Sequence, residues 1–241
     1  MNTIIKFNRF NLDLTPQLTI IETILRERET FFAQIAEGKG TGKKIRAMMV
    51  SCFLFLALYG GVMGGIHSIP QALAGTIKLP ILFLVTLMIC TPSLHFFNVL
   101  FGSRQTIAQT LALILTAIST TSVLLFSLAP ITFFFLLTSS DYLFFKLLNV
   151  LFFGIAGWLG VVFLREGMRV VTEHEDDENV KTRRLIFWLW VMVYAFVGSQ
   201  MAWTLSPFMG VPDAPFVLIR HAGGNIYADI LNSLQTLLGT F

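Results

Sequence analysis

The chain has 241 residues, 55% of them hydrophobic and only 13% charged, with a mean hydropathy of +0.73, whereas soluble domains carry about 25% charged residues. This balance excludes a soluble globular domain, a disordered chain and a collagen-like or repeat sequence, and leaves an all-α integral membrane protein. The net charge of +3 does not point to a nucleic-acid partner, because the basic residues gather at the ends of apolar runs, where they set orientation in a bilayer.

The first segment, residues 1–47, is the most polar part of the chain outside the spans. Its opening, MNTIIKFNRFNLDL, lacks the apolar core and small-residue cleavage site of a signal peptide, so the first span is expected to act as its own insertion signal. Thr15 and Pro16 form a helix start, with Thr15 as N-cap and Pro16 at the first helical position. Leu18, Ile21, Leu25, Phe32 and Ile35 then recur at helical spacing, with Ile24 and Phe31 widening the stripe, which predicts an amphipathic helix resting on the membrane or the bundle, or docking a cytosolic partner. The GKGTGKK stretch from Gly38 to Lys44 is one residue short of a phosphate loop, and Lys44 stands where Ser or Thr would bind magnesium. It reads as a basic linker held by anionic lipid.

Five spans follow, over about 48–69, 80–100, 104–128, 141–164 and 185–205. The first carries Gly60, Gly61, Gly64 and Gly65, overlapping GxxxG pairs that let another helix backbone approach closely, within the bundle or in a homo-oligomer. The second starts at Pro80 and contains Pro92, with Thr91 and Ser93 placed to satisfy the freed carbonyls. His95 and Asn98 share a face near its end and are candidates for a buried polar contact. The third holds TAISTTS from Thr116 to Ser122, hydroxyls suited to helix packing or a polar path. After Pro130, residues 131–138 either extend this helix or form a separate interfacial segment.

In the fourth span Gly154, Gly157 and Gly160 make a smooth side, expected to face the first-span glycines. Asn149 is a further buried polar candidate, and Lys146 lies near enough to the Asp141 end to snorkel outward. EHEDDENVKTRR, from Glu173 to Arg184, lacks the glycine turn of a calcium loop and reads as a solvated charge run. The stretch from Arg183 to Gly210 has the clearest span signature: two arginines, about twenty mostly apolar residues including Gln200, and Trp188, Trp190 and Trp203 toward the two headgroup levels. An outer turn built on Pro207, Phe208 and Gly210 opens the 206–241 segment. Ile226, Ile230, Leu234 and Leu237 then mark a second amphipathic helix, too short to span, expected at the interface or capping the bundle.

Lys43, Lys44, Arg46, Arg104, Arg165, Arg169, Arg183 and Arg184 fall with most other cations on one side, leaving Lys78, Arg220 and Lys146 for the other. The positive-inside rule then places the N-terminus in the cytoplasm and the C-terminus outside, in a bacterial inner membrane or an internal membrane derived from it. Cys52 and Cys90 sit inside apolar runs, with no CxxC or nearby His to suggest a disulfide or zinc. His67, His95, His174 and His221 are scattered over different segments without a carboxylate pair at one depth. No catalytic residue, metal site or cofactor is therefore assigned, and no enzyme is expected.

ILFLVTLMICTPSL from Ile81 and QMAWTLSPFMG from Gln200 resemble a group of uncharacterised bacterial multi-pass membrane proteins. The five-span layout over residues 48–220 is more distantly similar to the Yip/Yif family, whose Asp-Leu-x-Gly-Pro motif is matched here only by Asp13-Leu14-Thr15-Pro16, without its glycine. The resemblance implies a non-enzymatic protein working through partners or bilayer organisation. The expected role is a non-catalytic accessory or scaffold subunit of a membrane complex. Its partners would be the lipid bilayer and other membrane proteins, reached through the first-span glycines, the N-terminal helix or the outer loop. The alternative is a small transporter or channel with a polar path through spans 2, 3 and 5.

Overall fold

The computed structural model describes residues 15–100, 103–138, 141–172, 180–210, 215–219 and 225–238. Among them the chain forms eight helices and no strand: α1 (Thr15–Arg26), α2 (Arg28–Ala36), α3 (Thr41–Gly64), α4 (Ile69–Leu100), α5 (Ile107–Thr138), α6 (Tyr142–Thr172), α7 (Val180–Thr204) and α8 (Ile226–Leu238). Helices α3 to α7 are long and apolar enough to cross a membrane, so this is an integral membrane protein with five candidate spans. The Asp13-Leu14 pair, the Gly102 turn, the acidic residues 173–179 with His174, Pro212, Arg220 and His221 lie outside the described residues.

The N-terminal amphipathic stretch is two helices rather than one. Glu27 leaves the helical region at φ −124°, ψ 40°, and the break turns the chain so that Ile21 and Ile24 on α1 and Phe31, Phe32 and Ile35 on α2 are all buried against the bundle. Leu18 and Leu25, expected on the same stripe, point outward at 58% and 43% exposure. One side chain ties α2 to the start of α5. Gln109 Oε1 accepts from the Thr106 N–H at 2.8 Å while the Gln109 N–H lies 3.3 Å from Thr106 Oγ1, a reciprocal capping box. Its Nε2 donates to the carbonyls of Ile35 and Ala36 at 3.0 and 2.8 Å, so it caps the end of α2 as well. Gln109→Ala is expected to cost about 1–2 kcal/mol through the lost caps and to speed amide exchange in α2 selectively. Unchanged exchange there would refute the role.

The basic linker is a tight turn in which Gly38 and Gly40 take φ of 71° and 65°, left-handed conformations open to glycine. The second span departs from its expected start: α4 begins at Ile69, and both Pro80 and Pro92 are accommodated inside it. Thr91 and Ser93 bond the carbonyls of Leu87 and Cys90, not that of Met88, which Pro92 frees. Residues 131–138 continue α5 without interruption past Pro130.

Helix α5 is the centre of the fold. It packs against α3, α4 and α6 and also against α1 and α2, and 67% of its apolar window is buried, against 11% for α7. Small residues make this possible, because Thr116, Ser119, Thr120, Thr121 and Ser122 are all buried and let three long helices approach one axis. The segment with the clearest span signature, α7, is thus the most peripheral, held mainly by α4 and by α8.

Candidate functional site

The α3 glycines meet α4 rather than the α6 glycines. A Cβ on Gly60 would press on the Gly75 carbonyl, 2.9 Å from its carbon and 3.0 Å from Leu79 Cβ. On Gly64 it would lie 2.8 Å from the Gln71 carbonyl carbon, on Gly61 2.8 Å from Thr76 Oγ1, and on Gly65 3.3 Å from a Leu136 methyl. Gly75 went unrecognised because Gln71 and Lys78 give its surroundings the look of a connection. Of the α6 glycines, Gly160 lies on α5, where a Cβ would be 2.8 Å from the Ala117 carbonyl oxygen, while Gly154 and Gly157 face open space with nothing within 4 Å.

At the end of the bundle carrying α8, the turn of Pro207, Phe208 and Gly210, expected on the outer side, is pinned by polar side chains. Gln71 Nε2 donates to the carbonyls of Pro207 and Phe208 at 2.7 and 3.0 Å. Lys78, only 6% exposed, donates to Pro207 O at 3.0 Å and to Leu218 O, and its ammonium lies 5.9 Å from the Phe208 ring centroid. Tyr142 donates to Gly210 O at 2.9 Å. Gly210 itself sits at φ 74° against the His67 ring, a position that admits no side chain. The buried cation is thus satisfied by carbonyl dipoles and an aromatic face.

The candidate polar residues fall into separate groups. His95 Nδ1 lies 3.4 Å from Thr110 Oγ1, and Asn98 Nδ2 lies 3.5 Å from Gln105 Oε1 and 3.9 Å from Met168 Sδ. These long contacts cluster at the α1–α2 end. Asn149 is fully buried, accepting from Tyr59 O–H at 2.7 Å and donating to Phe145 O at 2.8 Å. Gln200 is half-buried on the peripheral α7. The α5 hydroxyls donate to carbonyls within their own helix, Thr116 to Ala112, Thr120 to Thr116, Thr121 to Ala117 and Ser122 to Ser119, and Thr121 lies within bonding distance of Ala156 O as well, at 3.2 Å. These bonds tie the α5 hydroxyls into helix packing. Asn149→Leu would leave the Tyr59 hydroxyl without its acceptor. A loss of about 1–3 kcal/mol is expected, and Tyr59→Phe in the same chain should restore much of it in a double-mutant cycle. Additive losses would show that the two side chains are not coupled.

The surfaces expected to reach partners are used internally only in part. Gly60, Gly61 and Gly64 meet α4, the inner faces of α1 and α2 meet the bundle, and Gln71, Lys78 and Tyr142 hold the turn, while Gly65, Leu18, Leu25, Phe216, Val217, Leu218 and Ile219 are exposed.

A cavity of about 600 Å³ opens among α4, α5, α6, α7 and α8, with Met63 of α3 also at its wall. Helices α6 and α7 touch through the stacked rings of Trp158 and Trp188, 6.1 Å apart, and are bridged by α8. That helix closes the gap: Lys146 Nζ on α6 pairs with Asp229 at 2.5 Å and bonds Ser233 Oγ at 2.9 Å, and Tyr227 meets Ser199 of α7 at 2.7 Å. Phe83, Phe153, Val161 and Val191 give apolar walls, and Gly154 and Gly157 leave room. Tyr194 and Ser206 also line the cavity, although their hydroxyl oxygens are buried away from it, with no hydrogen-bond partner among the described residues. Sequence periodicity could not locate this cavity, because its walls come from six helices and the turn after α7. The glycines of α6 were the one visible signal.

Comparison with protein-family models, with curated proteins and with solved structures gives no match.

Proposed function

We propose that this chain is a non-catalytic accessory or scaffold subunit of a membrane protein complex, in a bacterial inner membrane or an internal membrane derived from it. The observation carrying the reading is the thin attachment of α7. Leu185, Leu189, Met192, Val193 and Phe196, all more than half exposed, recur along one face of a helix whose apolar window is only 11% buried. Such a face offers knobs to a partner's transmembrane helix without rearranging the bundle, since in lipid helix association rests on packing.

A photo-reactive amino acid placed at Met192, with another at Leu151 on the outward side of α6 for comparison, tests the reading in native membranes. The expected result is a discrete adduct with a foreign membrane protein at Met192 and none at Leu151. Lipid adducts alone at both positions, together with a monomer or homodimer on gentle extraction, would defeat the proposal.

A further inference from the structure

We infer that the cavity between α6 and α7 is a binding site for a single lipid molecule, its hydrocarbon chain lying along α6 and its polar head at the Lys146–Asp229 end beneath α8. The inference rests on the cavity itself and stands whether or not α7 recruits a partner.

Dimensions select the occupant. The lining on α6 extends from Tyr142 to Leu164, about 33 Å at 1.5 Å per residue. At about 600 Å³ the space is a fraction of the roughly 2,600–3,700 Å³ that a helix of that length and 10–12 Å across would fill. A hydrocarbon chain fits this slot and a partner helix does not.

The walls carry the same message. An added Cβ on Gly154 or Gly157 meets nothing within 4 Å, and on Gly198 only a Thr86 methyl at 3.8 Å, so these glycines hold space open rather than bring helices together. Polarity is graded along the slot. Leu164, Val161 and Trp158 line the end near the Trp158–Trp188 pair, and Tyr142, Lys146, Ser206 and Asp229 line the end under α8. The Lys146–Asp229 pair is neutral as a unit, so the polar end suits a head without net charge concentrated at that point. Helix α8, tied to α6 through Lys146 and to α7 through Ser199, covers the head.

The test uses the full chain in phosphatidylglycerol nanodiscs containing either phosphatidylglycerol with a diazirine in its acyl chain or diazirine-labelled stearic acid. Photolysis and peptide mapping should find adducts on Phe153 and Tyr194, inside the slot. In the Gly154→Leu/Gly157→Leu variant, whose new side chains enter open space, this labelling should fall about tenfold or more, because the leucines occupy the chain's place. Adducts on outward-facing Leu151 and Met192 should persist. Gly157→Leu alone serves if the double variant does not purify. Labelling by one reagent only identifies the source as membrane phospholipid or free fatty acid, and labelling by both supports the site equally. Adducts confined to outward residues, or slot adducts undiminished in the glycine variants, would overturn the assignment.

Discussion

Gly60→Leu is expected to prevent α3 and α4 from seating, with a loss of about 3 kcal/mol or more, at or beyond the upper end of what overpacking costs where side chains can yield. Here the obstacle is backbone. The first added carbon already presses on the Gly75 carbonyl and on Leu79 Cβ, and neither can rotate away. The α3–α4 contact is also among the most extensive between any two helices of the fold, so its separation is a global event rather than a local one. Thermal unfolding of the detergent-solubilised chain, followed by size-exclusion fluorescence, reads the effect, with Gly157→Leu as the matched control because that position is open. Equal melting of the two variants would mean that close approach of α3 and α4 is not a source of stability.

Lys78→Met should release the turn after α7 while leaving the bundle folded. The ammonium is buried and shared between Pro207 O and Leu218 O, and hydrogen bonds to a charged donor contribute about 1.5–3 kcal/mol each when both partners are desolvated. Methionine keeps the stem's packing but leaves those carbonyls without their donor. Amide exchange in residues 205–210 and 216–219 should accelerate by more than tenfold, as a loss of about 1.4 kcal/mol or more implies, while α3 and α5 keep their protection. Gln71→Leu should act on the same turn through Pro207 and Phe208. Unaltered exchange in the turn of Lys78→Met would show that Gln71 and Tyr142 suffice.

The spans were legible because an uncharged run of about twenty residues between cations has one inexpensive place to be. The amphipathic helices at each end were legible for a related reason, since a stripe at helical spacing must be covered by something. Periodicity is silent on what covers it. The same pattern over residues 18–35 is compatible with one helix or two, and the break at Glu27 became visible only with the bundle that Phe31 and Phe32 must reach. The glycines show the limit most plainly. Gly60 and Gly154 are chemically identical signals, yet one receives a neighbouring backbone and the other faces a cavity.

By itself, then, the amino-acid order determined the membrane class, the number of candidate spans and the presence of amphipathic helix before and after them, because each follows from local transfer of residues between water and lipid. The tertiary structure decided that α5 rather than α7 is the centre, that Gly75 answers Gly60, that Lys78 reaches Leu218, and that a slot remains between α6 and α7. Those pairings join residues far apart in the chain, and inside a bilayer, where every exterior helix surface is equally apolar, only shape complementarity and the need to satisfy buried polar groups select among them.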